Sequence, residues 1–234
     1  MIFRKLAFLT LACCITSQAL ATAIVNGDFS SCDYSGWQKD TDGFGDVSVR
    51  DDFTMVGSSP NCAASINVDY GNTEAFFANT LYQELDFTAA INSTFLLSMD
   101  FMVDSEFTGL DPDTADYFTI ALNDGLGNYH NEYGALGFLV AGTIDGAESF
   151  NLSFMLDNSF VNQTGWFLDF QLSLGADNSG FTDFVGSSLI LNNVSLSEIP
   201  SRAVPAPSSV VLLALGFVGL MLRKKTSSYA GQIS

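Results

Sequence analysis

The sequence predicts an all-β chain built as one antiparallel β-sandwich, jelly-roll-like, and three observations predict it. Between Ile24 and Ile199 there are nine or ten short segments of alternating or wholly apolar character and almost no 3.6-residue periodicity. Those segments are separated by Gly, Asn, Asp and Ser, and three of the chain's five prolines lie at or beyond Pro200. No repeat of 20–50 residues is visible, which argues against a solenoid or propeller. Many short strands with turn signals between them close most economically as two packed sheets.

The strands follow in order. "DVSVR" (Asp46 to Arg50) and "AASINVDY" (Ala63 to Tyr70) alternate as half-buried strands do. "FANTLYQELDF" (Phe77 to Phe87) puts Leu81, Gln83 and Leu85 on one face and Tyr82, Glu84 and Asp86 on the other. "STFLLSMDFMV" (Ser93 to Val103) has the apolar run of a strand buried on both faces. Five more candidates are 116–122, 134–142, 148–156, 165–174 and 187–198. Eighteen phenylalanines fall in this region, enough to fill an inter-sheet layer, and they are assigned to the core.

The two ends read as targeting segments. Residues 1–23, "MIFRKLAFLTLACCITSQALATA", have Arg4 and Lys5, then an apolar stretch, then Ala19-x-Ala21 and Ala21-x-Ala23, the layout of a secretory signal peptide. The domain is then 24–199, with a linker at 200–203. From Ala206 to Leu222 the chain is uncharged for 17 residues, then reaches Arg223, Lys224 and Lys225, and 226–234 forms a short tail. That run sits at the lower limit for a membrane-spanning helix, and the cations after it place the tail in the cytoplasm.

Charge is partitioned in the same way. All 26 carboxylates lie between Asp28 and Glu198, where Lys39 and Arg50 are the only cations, a net charge of −24. Such a surface repels phosphate backbones and anionic headgroups, which argues against nucleic acid or a membrane surface as partner of the domain. Of four cysteines, Cys13 and Cys14 leave with the signal peptide. Cys32 and Cys62 are expected to pair in an oxidising compartment.

Few groups suggest catalysis. There is one histidine, His130, in a Gly/Asn-rich stretch read as an exposed loop, and no G-x-S-x-G, H-E-x-x-H or P-loop pattern occurs. The expectation is a protein that is not an enzyme and holds no cofactor. Two acidic clusters could still hold calcium: Asp40, Asp42 and Asp46 around two glycines, and Asp111, Asp113 and Asp116 in an inter-strand loop. Neither has EF-hand spacing, and the plainer reading is a pair of solvated turns. For sugar binding the group needed is an exposed aromatic platform. Tyr82, Tyr129 and Tyr133 are the candidates, whereas Trp37 and Trp166 follow glycines at strand starts and are assigned to the core.

"IVNGDFSSCDYSGW" (Ile24 to Trp37) and "LILNNVSLSEIP" (Leu189 to Pro200), with "LYQELDF" and "TFLLSMDF" between them, resemble carbohydrate-binding-module-like sandwiches of the galactose-binding type. That resemblance implies the two-sheet fold and carries no particular ligand. In many such modules a Glu and an Asp at the two terminal strands help to hold structural calcium. Ser30 and Asn192 stand at those positions, so the resemblance does not carry that ion over, although Asp28 and carbonyls near Asn26 remain as oxygen ligands.

The tail resembles a second family. Val204-Pro205-Ala206-Pro207, a short Gly-containing apolar run and Arg223 to Lys225 are similar to the PEP-CTERM sorting signal of Gram-negative bacteria, with Ala206 where the namesake Glu would stand. The resemblance implies recognition by an exosortase, a transient tether at the inner membrane through the C-terminal helix, and release to the cell surface or an exopolysaccharide matrix. The resulting expectation is an exported, non-enzymatic matrix or biofilm protein that associates with exopolysaccharide. A purely structural surface protein and a permanently anchored β domain are the alternatives.

Overall fold

The computed structural model describes residues 24–47, 51–69, 71–90, 93–105, 115–175 and 186–200. The signal segment, the apolar C-terminal run with its Pro-x-Pro and basic residues, Tyr70, Asp111 and Asp113 lie outside them. Among the described residues no helix is long and apolar enough to cross a membrane.

The domain is a β-sandwich of two antiparallel sheets. The first contains β1 (Gln38–Thr41), β4 (Ala78–Glu84), β10 (Phe167–Ser173), β6 (Tyr117–Asn123) and β7 (Tyr129–His130) in that spatial order, with β8 (Val140–Thr143) also paired to β6. The second runs β2 (Phe53–Ser58), β3 (Asn61–Val68), β11 (Ser187–Ile199), β5 (Thr94–Ser105) and β9 (Glu148–Leu156). The only helical turn among the described residues is 3-10, at Asn158–Phe160, where the Asp157 side chain accepts from the Ser159 amide.

Alternation decides which side chains fill the space between the sheets. Leu81, Ile120 and Phe170 project inward from the first sheet, and Ile66, Leu97, Met99 and Leu189 from the second, all essentially inaccessible to water. Phe87 contacts Phe95 and Phe160 at 5.2 and 5.5 Å between centroids, and Trp37 contacts Phe29 and Phe170 at 5.4 and 5.9 Å. Trp37 therefore packs as expected, and Trp166 packs partly buried against the same core.

The two terminal stretches meet. The Val194 amide donates to the Gly27 carbonyl at 2.8 Å, next to the register shift between Leu191 and Asn193. A Cβ at Gly27 would stand 2.0 Å from the Val194 oxygen, so only glycine allows this approach. Gln83, inward-facing among leucines, is satisfied by this same entry segment. Its Oε1 accepts from the Val25 amide at 2.6 Å and its Nε2 donates to the Val25 carbonyl at 3.0 Å. Ser30, in the position of the absent carboxylate, donates its amide and hydroxyl to Asp28.

Five expectations need correction. Asp46 and Val47 are not in a strand, and the strand of this region is β2, further along. Its residues are paired through the tight Ser58-to-Asn61 hairpin, which the broken pattern "FTMVGS" hides. β3 is buried on both faces, because Ser65 and Asn67 bond to each other and to Asp51, Thr54 and Ser188. β5, conversely, is buried on alternate residues only: Leu96, Ser98, Asp100 and Met102 face partly outward. Residues 134–139 form bends with one isolated bridge, Leu136 to His130, before the short β8, leaving Leu136 and Phe138 exposed. Finally, the phenylalanines are not all core, since Phe44, Phe76 and Phe77 are about three-quarters exposed.

Cys32 and Cys62 are joined, tying the entry segment to β3 across 30 residues of chain. Closing a loop of that length removes unfolded-state entropy worth about 3–4 kcal/mol. The Cys32→Ser, Cys62→Ser double variant is accordingly expected to lower the unfolding free energy by about that amount in urea titration. A loss below about 1 kcal/mol would show that the native contacts alone fix this segment.

Candidate functional site

Strand register builds a cleft on the outer face of the first sheet. Tyr82 lies opposite Asp169, Thr80 lies between Asp40 and Gln171, and Asn123 lies between Phe167 and Tyr129. Because side chains alternate, the neighbours Leu81, Phe170 and Ile120 point into the core, while these residues point together to the other side. They enclose a cleft of about 490 Å³ with Asp42, Gly43 and Phe77 at one end and Gly125 and Gly127 at the other.

Both ends are held by carboxylates acting as turn supports. Asp42 accepts from the amides of Phe76, Phe77 and Ala78 at 2.7, 2.7 and 2.9 Å, and Asp40 accepts from the Gly45 amide. At the other end, Asp124 accepts from the Leu126 and Asn128 amides and the Asn128 side chain. The Asn128 contact is the main reason its acidity is strengthened, to a pKa of about 2. Gly125 and Gly127 have positive φ (73° and 90°) in this turn, and the Gly125 approach to the Gly165 carbonyl leaves no room for a Cβ.

The floor is aromatic and acidic. Tyr82 meets Phe167 edge-on at 5.9 Å, and Tyr129 packs against Phe138 at 5.6 Å. Asp169 is 6% exposed: Oδ2 accepts from Asn123 Nδ2 at 2.8 Å, whereas Oδ1 is buried with no hydrogen-bond partner. Burial pushes its pKa up to about 6 against the pull of the Asn123 hydrogen bond, and the Asp40 charge adds to the rise. Burial also raises both tyrosines, helped by the charges of Asp40 and Asp169. Four groups from four strands thus share one electrostatic environment.

The sequence candidates are distributed unevenly. Tyr82 and Tyr129 come together in the cleft, while Tyr133 lies in a separate depression beside Glu132, Thr94 and 153–158. Asp40 and Asp42 line the cleft with carboxylates already engaged by amides, and Asp46 lies 4.0 Å from Lys39. Asp116 is buried and accepts from the Gly175 amide, so it is no solvated turn residue. Among the described residues no group of three or more His, Cys, Asp or Glu is placed to hold a metal ion. His130 is not an exposed loop residue. Its ring packs edge-on against Trp166 at 5.0 Å, with Nδ1 3.0 Å from the Gly134 carbonyl and Nε2 3.5 Å from Asp124. Asp169, Phe167, Gln171, Asn123 and Thr80 were not among the candidates. Alternation in "FLDFQLS" places Asp169 opposite the leucine face, but only the pairing of β10 with β4 reveals what it stands beside.

Residues 203–225 match the PEP-CTERM protein-sorting motif. The PEP-CTERM motif implies an exported protein handled by an exosortase, with a surface or extracellular destination. No curated protein matches the chain in sequence. Among solved structures it is similar to the CBM27-1 module of Caldicellulosiruptor saccharolyticus in complex with mannohexaose (10% identity, 73% of this chain and 94% of that one, TM-score 0.41). It is likewise similar to CBM28, a carbohydrate-binding module specific for non-crystalline cellulose (11%, 75% and 94%, TM-score 0.43). The enzymatically active domain of bacteriophage CBA120 tailspike protein 4 also matches (16%, 76% of this chain, TM-score 0.40), and the chain spans about a fifth of its length.

Proposed function

We propose that this is an exported, exosortase-processed protein of the cell surface or extracellular matrix whose β-sandwich binds a polysaccharide chain without turning it over. The cleft on the outer face of the first sheet carries this reading. It brings the faces and edges of Tyr82, Tyr129 and Phe167 together with polar groups of Thr80, Asn123, Gln171 and Asp169. A sugar ring presents C–H faces to aromatic surfaces and hydroxyls to such acceptors and donors at once. Export towards the cell surface, which the PEP-CTERM motif implies, supports this reading, because extracellular polysaccharide is a ligand available there. Asp40 and Asp42 accept backbone amides, which supports a reading of the cleft without bound calcium.

The test is co-sedimentation of the purified protein with exopolysaccharide from its host, with calcium and with chelator, followed by analysis of the recovered glycan. Saturable pelleting that survives chelator and leaves the glycan unshortened is expected. Tyr82→Ala and Tyr129→Ala are each expected to weaken it about 10–100-fold, the loss of roughly 1.5–3 kcal/mol of aromatic contact. Tyr133→Ala is expected to bind normally. Absence of pelleting, or retention of it in both cleft variants, would sink the reading and leave a structural surface protein.

A further inference from the structure

We infer that the cleft selects a glycan carrying ammonium groups, that is, a polymer of 2-amino-2-deoxy sugars with free amines, over neutral and acidic chains of similar backbone. This rests on the reading of the cleft as a polysaccharide site. Its walls supply two carboxylates, Asp40 and Asp169, with Asp42 at one end, and no lysine or arginine. Among the described residues the one Lys or Arg is Lys39, and it is used elsewhere: its ammonium lies over the Tyr34 ring at 4.6 Å and 4.0 Å from Asp46.

Asp169 is the second, independent observation. It is more than nine-tenths buried at the cleft floor, and one of its oxygens has no donor. A buried carboxylate without a full set of donors is costly, and a nearby ion of opposite sign removes that cost. A hydroxyl offers such a site only a neutral hydrogen bond; an ammonium offers a charge-assisted one and neutralises the Asp40–Asp169 repulsion. The rings of Tyr82, Tyr129 and Phe167 line the same cleft, and aromatic faces attract cations. Uronic acids and sulfated or phosphorylated sugars would place a further negative charge among these carboxylates, so the site rejects them.

Three β-1,4-linked hexamers that differ chiefly at the second carbon isolate the effect: glucosamine with its amines protonated, N-acetylglucosamine and glucose. Binding to the purified protein is measured by titration calorimetry. The glucosamine hexamer is expected to bind at least tenfold more tightly than the other two, with the margin shrinking as salt is raised. Asp169→Asn is expected to abolish the margin between the glucosamine and glucose hexamers, and a parent-like circular dichroism spectrum with a cooperative thermal transition shows that the variant is folded. Asp40→Asn is expected to narrow the margin by a smaller factor. Equal binding of all three hexamers, or a preference that survives Asp169→Asn, overturns the inference and leaves the polysaccharide reading standing. If none of the three binds and exopolysaccharide does not pellet the protein, both fall.

Discussion

Between pH 4 and pH 7 the Asp169→Asn variant is expected to gain about 2–3 kcal/mol of stability relative to the parent protein. Asp169 ionises near its ordinary value of 3.8 when unfolded and near about 6 when folded, because burial and then the Asp40 charge oppose its ionised form. A group that holds its proton more tightly when folded costs nothing below the lower value. It removes stability progressively as pH rises to the upper one, and the loss stays constant beyond. The difference between 3.8 and about 6 corresponds to about 3 kcal/mol. Asparagine does not titrate, and the other carboxylates titrate in both proteins, so the difference between the two curves isolates this residue. Urea titrations at several pH values measure it, and the thermal midpoint at pH 7 should diverge by roughly 5–10 °C more than at pH 4. Parallel curves would mean that water reaches Oδ1 and that the floor of the cleft is wetter than its geometry indicates.

Much of the architecture is legible in the alternation of single strands. "FANTLYQELDF" gives the two faces of β4 correctly: Leu81, Gln83 and Leu85 are buried and Tyr82 and Glu84 are outside. The cysteine pair is legible because two thiols in an exported domain have few other fates. What alternation leaves out is which strand lies beside which. Asp169 reads as one acid among 26 until β10 pairs with β4 and β6, which sets it between Tyr82 and Ala121. The same limit explains the calcium candidates. Asp40, Asp42 and Asp46 look like free ligands in a list of residues, yet Asp42 supports the chain entering β4, 34–36 residues away. His130 is hidden from sequence for a similar reason: its polar neighbours in sequence are turn residues, while its neighbour in space is Trp166. The PEP-CTERM motif, by contrast, is a linear pattern, and sequence suffices for it.

The second large effect is expected at Asn79, where the two sheets are joined by polar contacts instead of apolar ones. Its side chain is fully buried on β4; Oδ1 accepts from Thr41 Oγ1 at 2.8 Å on β1 of the same sheet. Its Nδ2 donates to Asp52 Oδ1 at 2.8 Å and to the Asn67 carbonyl at 2.7 Å, both belonging to the opposite sheet or its entry. Both N–H donors of the amide and one lone pair of its oxygen are used, and Asp52, which is also fully buried, depends on Nδ2 and the Glu74 amide among its donors. Removing the amide withdraws a donor from a buried carboxylate, an acceptor from a buried hydroxyl and a donor from a buried carbonyl. Such a loss costs about 3–5 kcal/mol, well above that of a single neutral hydrogen bond. Asn79→Ala and Asn79→Leu are therefore expected to lose similar amounts in urea titration, although leucine keeps the forked shape and fills the space. Thr41→Val, which removes one donor and keeps its shape, is expected to cost about 1 kcal/mol. If Asn79→Leu were as stable as the parent, the position would serve only to fill space, and the sheets would be held by their apolar layer alone. The physical distinction is one of specificity: Leu81, Phe170 and Ile66 favour any close approach of the two sheets, whereas the Thr41–Asn79–Asp52 chain is satisfied in one relative placement of β1, β4 and the start of β2. That placement also positions Asp40, Thr80 and Tyr82 on the outer face, so the stability of the inner network and the shape of the cleft are set by the same strand pairings.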